Sequence, residues 1–586
     1  MKTIIARICF ILVLAVSAGA TNYTVKAAGG GNYTTIAACA AVAVAGDTCT
    51  VYAGSYAGWT QTASGTSGNP ITFTVNPGDT VTITSSVTVT NTSYVTIGAP
   101  DSGGGCAASG RTTGAGGANP SFMVGGCFVF QNAGIQGPVC GSGNHTYYFH
   151  LTYNTSRGNN PPQFVSFGQG AVNGSTQCGL PYVDTTSNNN YFAHNDVNWN
   201  IDSPTAPFCT SQFLTFGNKN LYEYNDMQGM GSTHIRLGGS YNVIRLNYGH
   251  DNNGNITLGC GQSPEHMDFV FGEGGDEPSI SFSLVEKNVW ERCSNDAGNC
   301  KFIFSRADAN DAYSTSDSVI SRYNYMYSLD GSYAGAGDQS DGTNTTPNWH
   351  TYNNTVATES LNTSSGACGT FDSGIATVLN QLCYNSQGTN GYTPIYFYTS
   401  GSFSNGDQAY DTGCPSCTWS GGSSAYINEA TYSRLANQNP MWANYPTDGT
   451  VQSGSRVLAS STNGGGVSLT TVSSGCGTNS LVVGDARFFQ AGYGATNIPD
   501  PVPGDRISVG TSATAQITAV NYTTNTLTLA SSVSCTNGAS VNLNTDTLGN
   551  VVVPLGQANP DVGAFPSTSS STPPPSPPAG LTAVVN

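Results

Sequence analysis

Through the middle of the chain one short phrase recurs: a few apolar residues, then asparagine, then polar turn residues. It occurs as Tyr191-Phe192-Ala193-His194-Asn195, Leu221-Tyr222-Glu223-Tyr224-Asn225, Val243-Ile244-Arg245-Leu246-Asn247, Leu284-Val285-Glu286-Lys287-Asn288 and Ile320-Ser321-Arg322-Tyr323-Asn324. A weaker copy ends at Asn354, and the successive asparagines are 30, 22, 41, 36 and 30 residues apart. Recurring short strands predict a solenoid, in which each coil buries its apolar face on its neighbours. Asparagine at the same corner suits such a turn, because it tolerates left-handed backbone and its amide can bond to the next coil. The longer spacings predict insertions on one side, where solenoids build binding grooves; the largest are 254–265, 272–278 and 331–347. Only 36–45 carries a helical period, and it is read as a cap.

Near residue 453 the pattern changes. Segments 467–472, 480–483, 505–509, 515–520, 526–529 and 540–543 read as short strands separated by Gly, Asn and Pro turns. The start of the chain has the form of an export signal: Lys2 and Arg7, an apolar run over 8–16, then Ala18-Gly19-Ala20. The expected division is 1–20 signal peptide, 21–452 solenoid, 453–545 small β-domain, 546–566 closing segment of the solenoid, and 567–586 a Ser/Pro-rich tail.

Composition narrows the function. Only 9% of residues are charged and the net charge is −17, which becomes −19 once Lys2 and Arg7 leave with the signal. No basic footprint for nucleic acid exists, and no later apolar run is long enough to span a membrane. Cys9 lies in the signal, so 16 of the 17 cysteines remain, an even number that favours disulfides in an exported chain. Near neighbours suggest Cys39–Cys49, Cys293–Cys300, Cys368–Cys383 and Cys476–Cys535. Cys414-Pro-Ser-Cys417 lacks the second half of a zinc site and is read as a structural disulfide.

The first coils carry a fuller signature: Gly46-Asp47-Thr48-Cys49-Thr50-Val51-Tyr52-Ala53-Gly54-Ser55-Tyr56, then Gly68-Asn69-Pro70-Ile71-Thr72, then Pro77-Gly78-Asp79. This resembles the N-terminal cap and first coils of the pectate-lyase-like superfamily. The resemblance implies a right-handed parallel β-helix, all-β, with the small β-domain inserted near the C-terminus. Pro560-Asp561-Val562-Gly563-Ala564-Phe565 likewise resembles the closing segment of secreted bacterial β-helix proteins. One fold hosts many functions, so the chemistry has to be read from side chains.

The densest polar constellation is Glu265-His266-Met267-Asp268 with Glu273, Asp276 and Glu277. His266 and Asp268, two apart on a strand, would share a face. Stacked on Thr233-His234-Ile235-Arg236, they would put His234 beside His266 and Arg236 beside Asp268, about 4.8 Å apart at the backbone. Two chemistries fit. Glu265, Asp268, Glu273, Asp276 and Glu277 could bind Ca²⁺, which with Arg236 would neutralise a uronate; the lyase resemblance implies a lysine base, for which Lys287 is the nearest counterpart, with Arg292 and Arg306 as substrate-binding cations. Alternatively His266 and Asp268 are a general acid–base pair. Trp290 is the expected sugar contact. Each group also has a plain structural reading as a surface pair or turn residue.

The expectation is a secreted enzyme acting on an extracellular polysaccharide, a lyase cleaving an acidic glycan by β-elimination, as a monomer or a trimer. A non-catalytic adhesin and a glycoside hydrolase, the latter using Asp268 with Glu286 or Glu291, are the alternatives. An enzyme needs the polar groups of 234–306 to converge; a rod would scatter them.

Overall fold

The computed structural model describes residues 19–98, 127–136, 146–147, 150–152, 154–158, 164–167, 187–199, 211–228, 233–254, 267–274, 280–295, 300–307, 318–329, 335–340, 348–358, 368–371, 375–385, 395–397, 402–411, 433–436, 439–443, 445, 449–460, 465–498 and 501–566. Among these residues the chain builds the parallel β-helix that the repeat predicts, as three stacked parallel sheets of 13, 13 and 12 strands. One coil runs Leu221–Glu223 in the first sheet, Asp226–Gln228 in the second and Thr233–Ser240 in the third. The next runs Val243–Arg245, Tyr248–Gly254 and Met267–Gly274. Leu221 pairs with Val243, Val243 with Leu284 and Leu284 with Ile320, so the 22-, 41- and 36-residue spacings are successive coils.

Alternate residues of each strand point inward and fill the tube. Phe192, Tyr222, Ile244 and Val285 stack from the first sheet, Met227, Trp290 and Met326 from the second, and Phe213, Ile235, Val270 and Ile303 from the third, all essentially inaccessible. The cap helix is only Ile36–Ala40, started by Thr35, whose side chain accepts from the Ala38 amide. The helical period had suggested 36–45; the chain leaves the helix early because it must return to the strand Thr48–Val51, to which Cys39–Cys49 ties it. All four disulfides expected from sequence proximity are present.

The corner asparagines form a buried ladder. Asn225 Nδ2 donates to Asn247 Oδ1 (2.9 Å), Asn247 Nδ2 to Asn288 Oδ1 (3.0 Å), Asn288 Nδ2 to Asn324 Oδ1 (3.0 Å) and Asn324 Nδ2 to Asn354 Oδ1 (2.9 Å). Each backbone amide also donates to the next Oδ1, as from Asn247 to Asn288 at 2.9 Å. The left-handed residue is not the asparagine but its predecessor: His194, Tyr224, Leu246, Lys287 and Tyr323 have φ between 52° and 58°. That preceding residue takes the bend, which turns the asparagine amide inward, where it satisfies backbone groups that burial would otherwise orphan. The ladder ends in Gln381, whose Oε1 accepts from the Asn354 amide, and Asp407, whose Oδ1 accepts from the Gln381 amide (2.6 Å).

Strands Thr470–Ser474, Ser480–Val483, Arg506–Val509, Ala513–Asn521, Thr526–Leu529 and Ser540–Thr545 close into an antiparallel barrel. The barrel lies on the outer face of the first sheet, where Leu221, Val243, Leu284 and Ile320 join its apolar core. Segment 546–566, expected to close the solenoid as a strand, does something else. Its end, with residues 440–443, 445 and 449–458, forms a strap over the outer face of the second sheet: Ala564 N donates to Thr355 Oγ1 (2.9 Å) and Phe565 meets Tyr325 edge-on at 5.0 Å. The last described strand of that sheet is Ser433–Ala436. One expected insertion also shrinks, because Ala336–Ser340 is a strand of the third sheet. The signal peptide core, Cys414, Cys417 and the tail lie outside the described residues.

Candidate active site

After each ladder asparagine, positions one and three residues on face outward from the second sheet, since position two enters the core. On three consecutive coils this rule sets Asp226 and Gln228, Tyr248 and His250, and Val289 and Glu291 on one surface. They form a connected group. His250 Nε2 lies 2.7 Å from Asp226 Oδ1. His250 stacks on Tyr248 (ring centroids 4.3 Å apart, 22° between planes), and the Tyr248 hydroxyl donates to Glu291 Oε1. His250 and Glu291 are direct register neighbours, and Glu291 is followed by Tyr327. The carboxylate of Asp226 favours the His250 tautomer that carries its proton on Nε2. Such a dyad is a base with a fixed tautomer and orientation; the neighbouring Tyr–Glu pair can hold or deliver a proton. All four side chains are buried.

Of these residues only Glu291 was singled out in the sequence, as an alternative hydrolase acid; Asp226, Tyr248 and His250 were missed, since Asn247 to Asn255 reads as an Asn-rich turn. In fact His250 sits within the strand Tyr248–Gly254. The available signal was the asparagine frame itself, which sets residues 226, 248, 250 and 291 on the same face.

The expected constellation around His234 is arranged differently. The register pairs Thr233 with Asp268 and Arg236 with Phe271, so Arg236 does not stack on Asp268 and the strand is shifted from the His234–His266 alignment. His234 turns into the corner between the second and third sheets. Its Nδ1 lies 2.6 Å from Gln212 Oε1, and its ring meets Phe269 edge-on. Gly249 makes room for both rings, since a Cβ there would lie 2.7 Å from Phe269 and 2.9 Å from His234. Burial, with a smaller contribution from His250, pushes the His234 pKa well below its ordinary value, so the ring is neutral. Arg236 lies outward over Phe271 (5.6 Å), Phe271 stacks on Phe304, and the Lys301 ammonium is 3.4 Å from the Phe304 ring centre. This is a cationic and aromatic row on the third sheet.

Lys287 and Trp290 are not where a base and a sugar contact need to be. Lys287, at the corner, forms an ion pair with Asp546 beneath the barrel. Trp290 is an inward core residue, fully buried against Phe269 and Phe302. Glu286, the alternative hydrolase acid, belongs to a column on the outer face of the first sheet: Glu223, Arg245, Glu286, Arg322. Arg245 Nε is 2.7 Å from Glu223, Arg322 Nε is 2.7 Å from Glu286, and Asp505 of the barrel grips Arg322. Burial alone would lower the Arg322 pKa, but Asp505 and Glu286 hold it well above the ordinary value. This alternation of charge was visible two positions before each ladder asparagine. His350 also reaches the barrel, at Asp485 (2.8 Å).

His266, Glu265, Asp276 and Glu277 lie outside the described residues, as do the side chains of Glu273, Arg292 and Arg306. Of the expected calcium ligands only Asp268 is described; it is buried, and its register neighbour is Lys301. Among the described residues no three His, Cys, Asp or Glu side chains gather to hold a metal ion.

No family model matches the chain, and no curated protein matches it in sequence. Solved structures that resemble it include XylC in complex with xylose (TM-score 0.44, 11% identity, 94% of this chain and 98% of that one). A mutant of the PL6-family alginate lyase AlyGC follows (TM-score 0.37, 14% identity, 71% and 53%). So does the GH136 lacto-N-biosidase from Eubacterium ramulus (TM-score 0.34, 10% identity, 71% and 68%). Its stacked parallel sheets, with one apolar column per sheet and an asparagine at one corner of successive coils, make this chain a parallel β-helix protein.

Proposed function

We propose that the protein is a secreted polysaccharide-active enzyme, and that it cleaves an acidic glycan by β-elimination at the second sheet. The observation that carries this reading is the Asp226–His250 dyad set beside Tyr248–Glu291. His250 removes the proton next to the uronate carboxylate, Asp226 stabilises the imidazolium that forms, and Tyr248 protonates the leaving glycosidic oxygen. Arg236 and Lys301 supply local positive charge on a chain whose net charge would otherwise repel a polyanion. Hydrolysis by two carboxylates is less well supported, because Asp226 is engaged by His250. The four disulfides suit an extracellular setting. Calcium assistance and a monomeric state are proposals of the same kind.

Burial of the dyad favours a second reading, a non-catalytic glycan-binding rod in which these groups are structural. Incubation with a panel of uronate polymers, with and without chelator, separates the two. Ultraviolet absorbance of the unsaturated uronate, lost in His250→Ala, supports elimination. Glycan binding with no absorbance and no new reducing ends supports the rod, and reducing ends without absorbance support hydrolysis.

A further inference from the structure

We propose that Lys287 and Asp546 condense into an amide, a covalent cross-link that fixes the barrel to the solenoid. The inference is independent of the reaction at the second sheet.

Lys287 occupies the left-handed corner between the first and second sheets (φ 54°). The same corner on the coils before and after is held by Leu246 and Tyr323, both buried. The ammonium is in direct contact with Asp546 Oδ2, and the pair is closed off from water: the lysine side chain is 12% exposed and the carboxylate 0%. Nearby, Arg322 meets Asp505 across the same boundary. A guanidinium keeps its protons and stays an ion. An amine that gives one proton up becomes a nucleophile.

Asp546, directly after the last barrel strand, is held for attack by its own loop. Its amide donates to Asn550 O (3.0 Å), and Gly549, at φ 83°, donates to Asp546 O (3.0 Å). Within this turn the amides of Leu548 and Asn550 both donate to Asp546 Oδ1, each at 2.9 Å. Two N–H groups on one oxygen stabilise the oxyanion of a tetrahedral intermediate. The other oxygen, Oδ2, faces Lys287 and accepts from Asn550 Nδ2 (3.1 Å), so it is the leaving oxygen.

The step balances without a co-reactant. One ammonium proton passes from Nζ to Oδ2. The freed lone pair attacks Cγ, forming the Nζ–Cγ bond while the carbonyl π electrons move onto Oδ1. On collapse the Cγ–Oδ2 bond breaks, a second proton passes from Nζ to Oδ2, and water leaves. The amide retains one N–H and keeps Oδ1 as its carbonyl oxygen. Two buried charges become one neutral group, which removes the cost of keeping them from water. Fixed partners react at an effective concentration on the order of 10⁵ M or more, which offsets the preference of dilute water for free acid and amine.

The test is the intact mass of the native protein, denatured and reduced, with its N-terminus determined. The expected mass is one water below that of the sequence, and a protease digest is expected to contain one branched peptide joining Lys287 to Asp546. Lys287→Met keeps the stem without the amine, and is expected at full mass with both peptides linear. A native protein at full mass with linear peptides would overturn the inference, as would a lost water located elsewhere in the chain. Should Lys287→Met fail to fold, the digest of the native protein decides alone.

Discussion

Arg322 grips Asp505 through two parallel bonds, Nη1 to Oδ2 and Nη2 to Oδ1, each 2.8 Å, across the boundary between solenoid and barrel. The two residues are 183 apart in sequence and both are buried. Arg322 is also held by Glu286 and donates to the Tyr352 hydroxyl (2.9 Å). The barrel is therefore docked by desolvated charge as well as by apolar contact, and neither surface could face water without a loss.

Removing one partner leaves the other charge buried and uncompensated. Asp505→Ala is expected to destabilise the docked barrel by about 3–5 kcal/mol, and Arg322→Met with Asp505→Leu together by much less. Guanidinium unfolding, followed separately at barrel and solenoid aromatics, checks this. Equal effects of the single and double variants would exclude the pair as the cause.

Asn288 accepts from the amide and side chain of Asn247 and donates to Ile244 O (2.9 Å) and Asn324 Oδ1. Asn288→Ala orphans buried groups on two neighbouring coils, at about 1–3 kcal/mol for each unsatisfied group. A drop in the denaturant midpoint, with amide exchange accelerating on the coils of Asn247 and Asn324, is the expected result.

Asp407 ends the ladder as a carboxyl rather than an amide. Burial raises its pKa to about 8, although Ser404 and the Gln381 amide act in the opposite direction. The folded protein thus holds a proton that the unfolded chain releases near the ordinary carboxylate pKa of about 3.9. Below that value the contribution to stability is complete; it falls as pH rises and is lost by about pH 8. Asp407→Asn keeps the acceptor and removes the titration, so its unfolding midpoint is expected to be flatter over this range and higher at its alkaline end. A parallel decline in both proteins would show that another group titrates.

His250→Ala and Asp226→Asn are expected to lower the elimination rate by about 10²–10⁴-fold with the far-ultraviolet dichroism unchanged. Lys287→Ala is expected to leave the rate near native and lower the unfolding midpoint, because Lys287 serves the barrel contact with Asp546. Initial rates of absorbance change on one polymer check all three; a rate lost in Lys287→Ala alone would return the base to the corner.

The repeat of apolar residues and asparagine was enough by itself to determine the solenoid, its coil spacing and the strands of the added β-domain. Those features depend on local alternation and on turn chemistry, both of which are written along the chain. Four cysteine pairs were legible for a similar reason, since each joins segments that the strand pattern already brings together. The site was only half legible. The region read from the sequence, 234–306, takes in His250 and Glu291 but not Asp226, because the register between coils decides which side chains meet and insertions of unequal length hide that register. A shift in the Thr233–Asp268 pairing moved His234 into the corner, and the asparagine frame brought His250 onto Asp226. What covers each outer face was decided by tertiary structure alone. The barrel claimed Lys287, Glu286 and Arg322, and the strap claimed Tyr325, because a buried charge or ring finds its partner in space, at a sequence distance that no local pattern records.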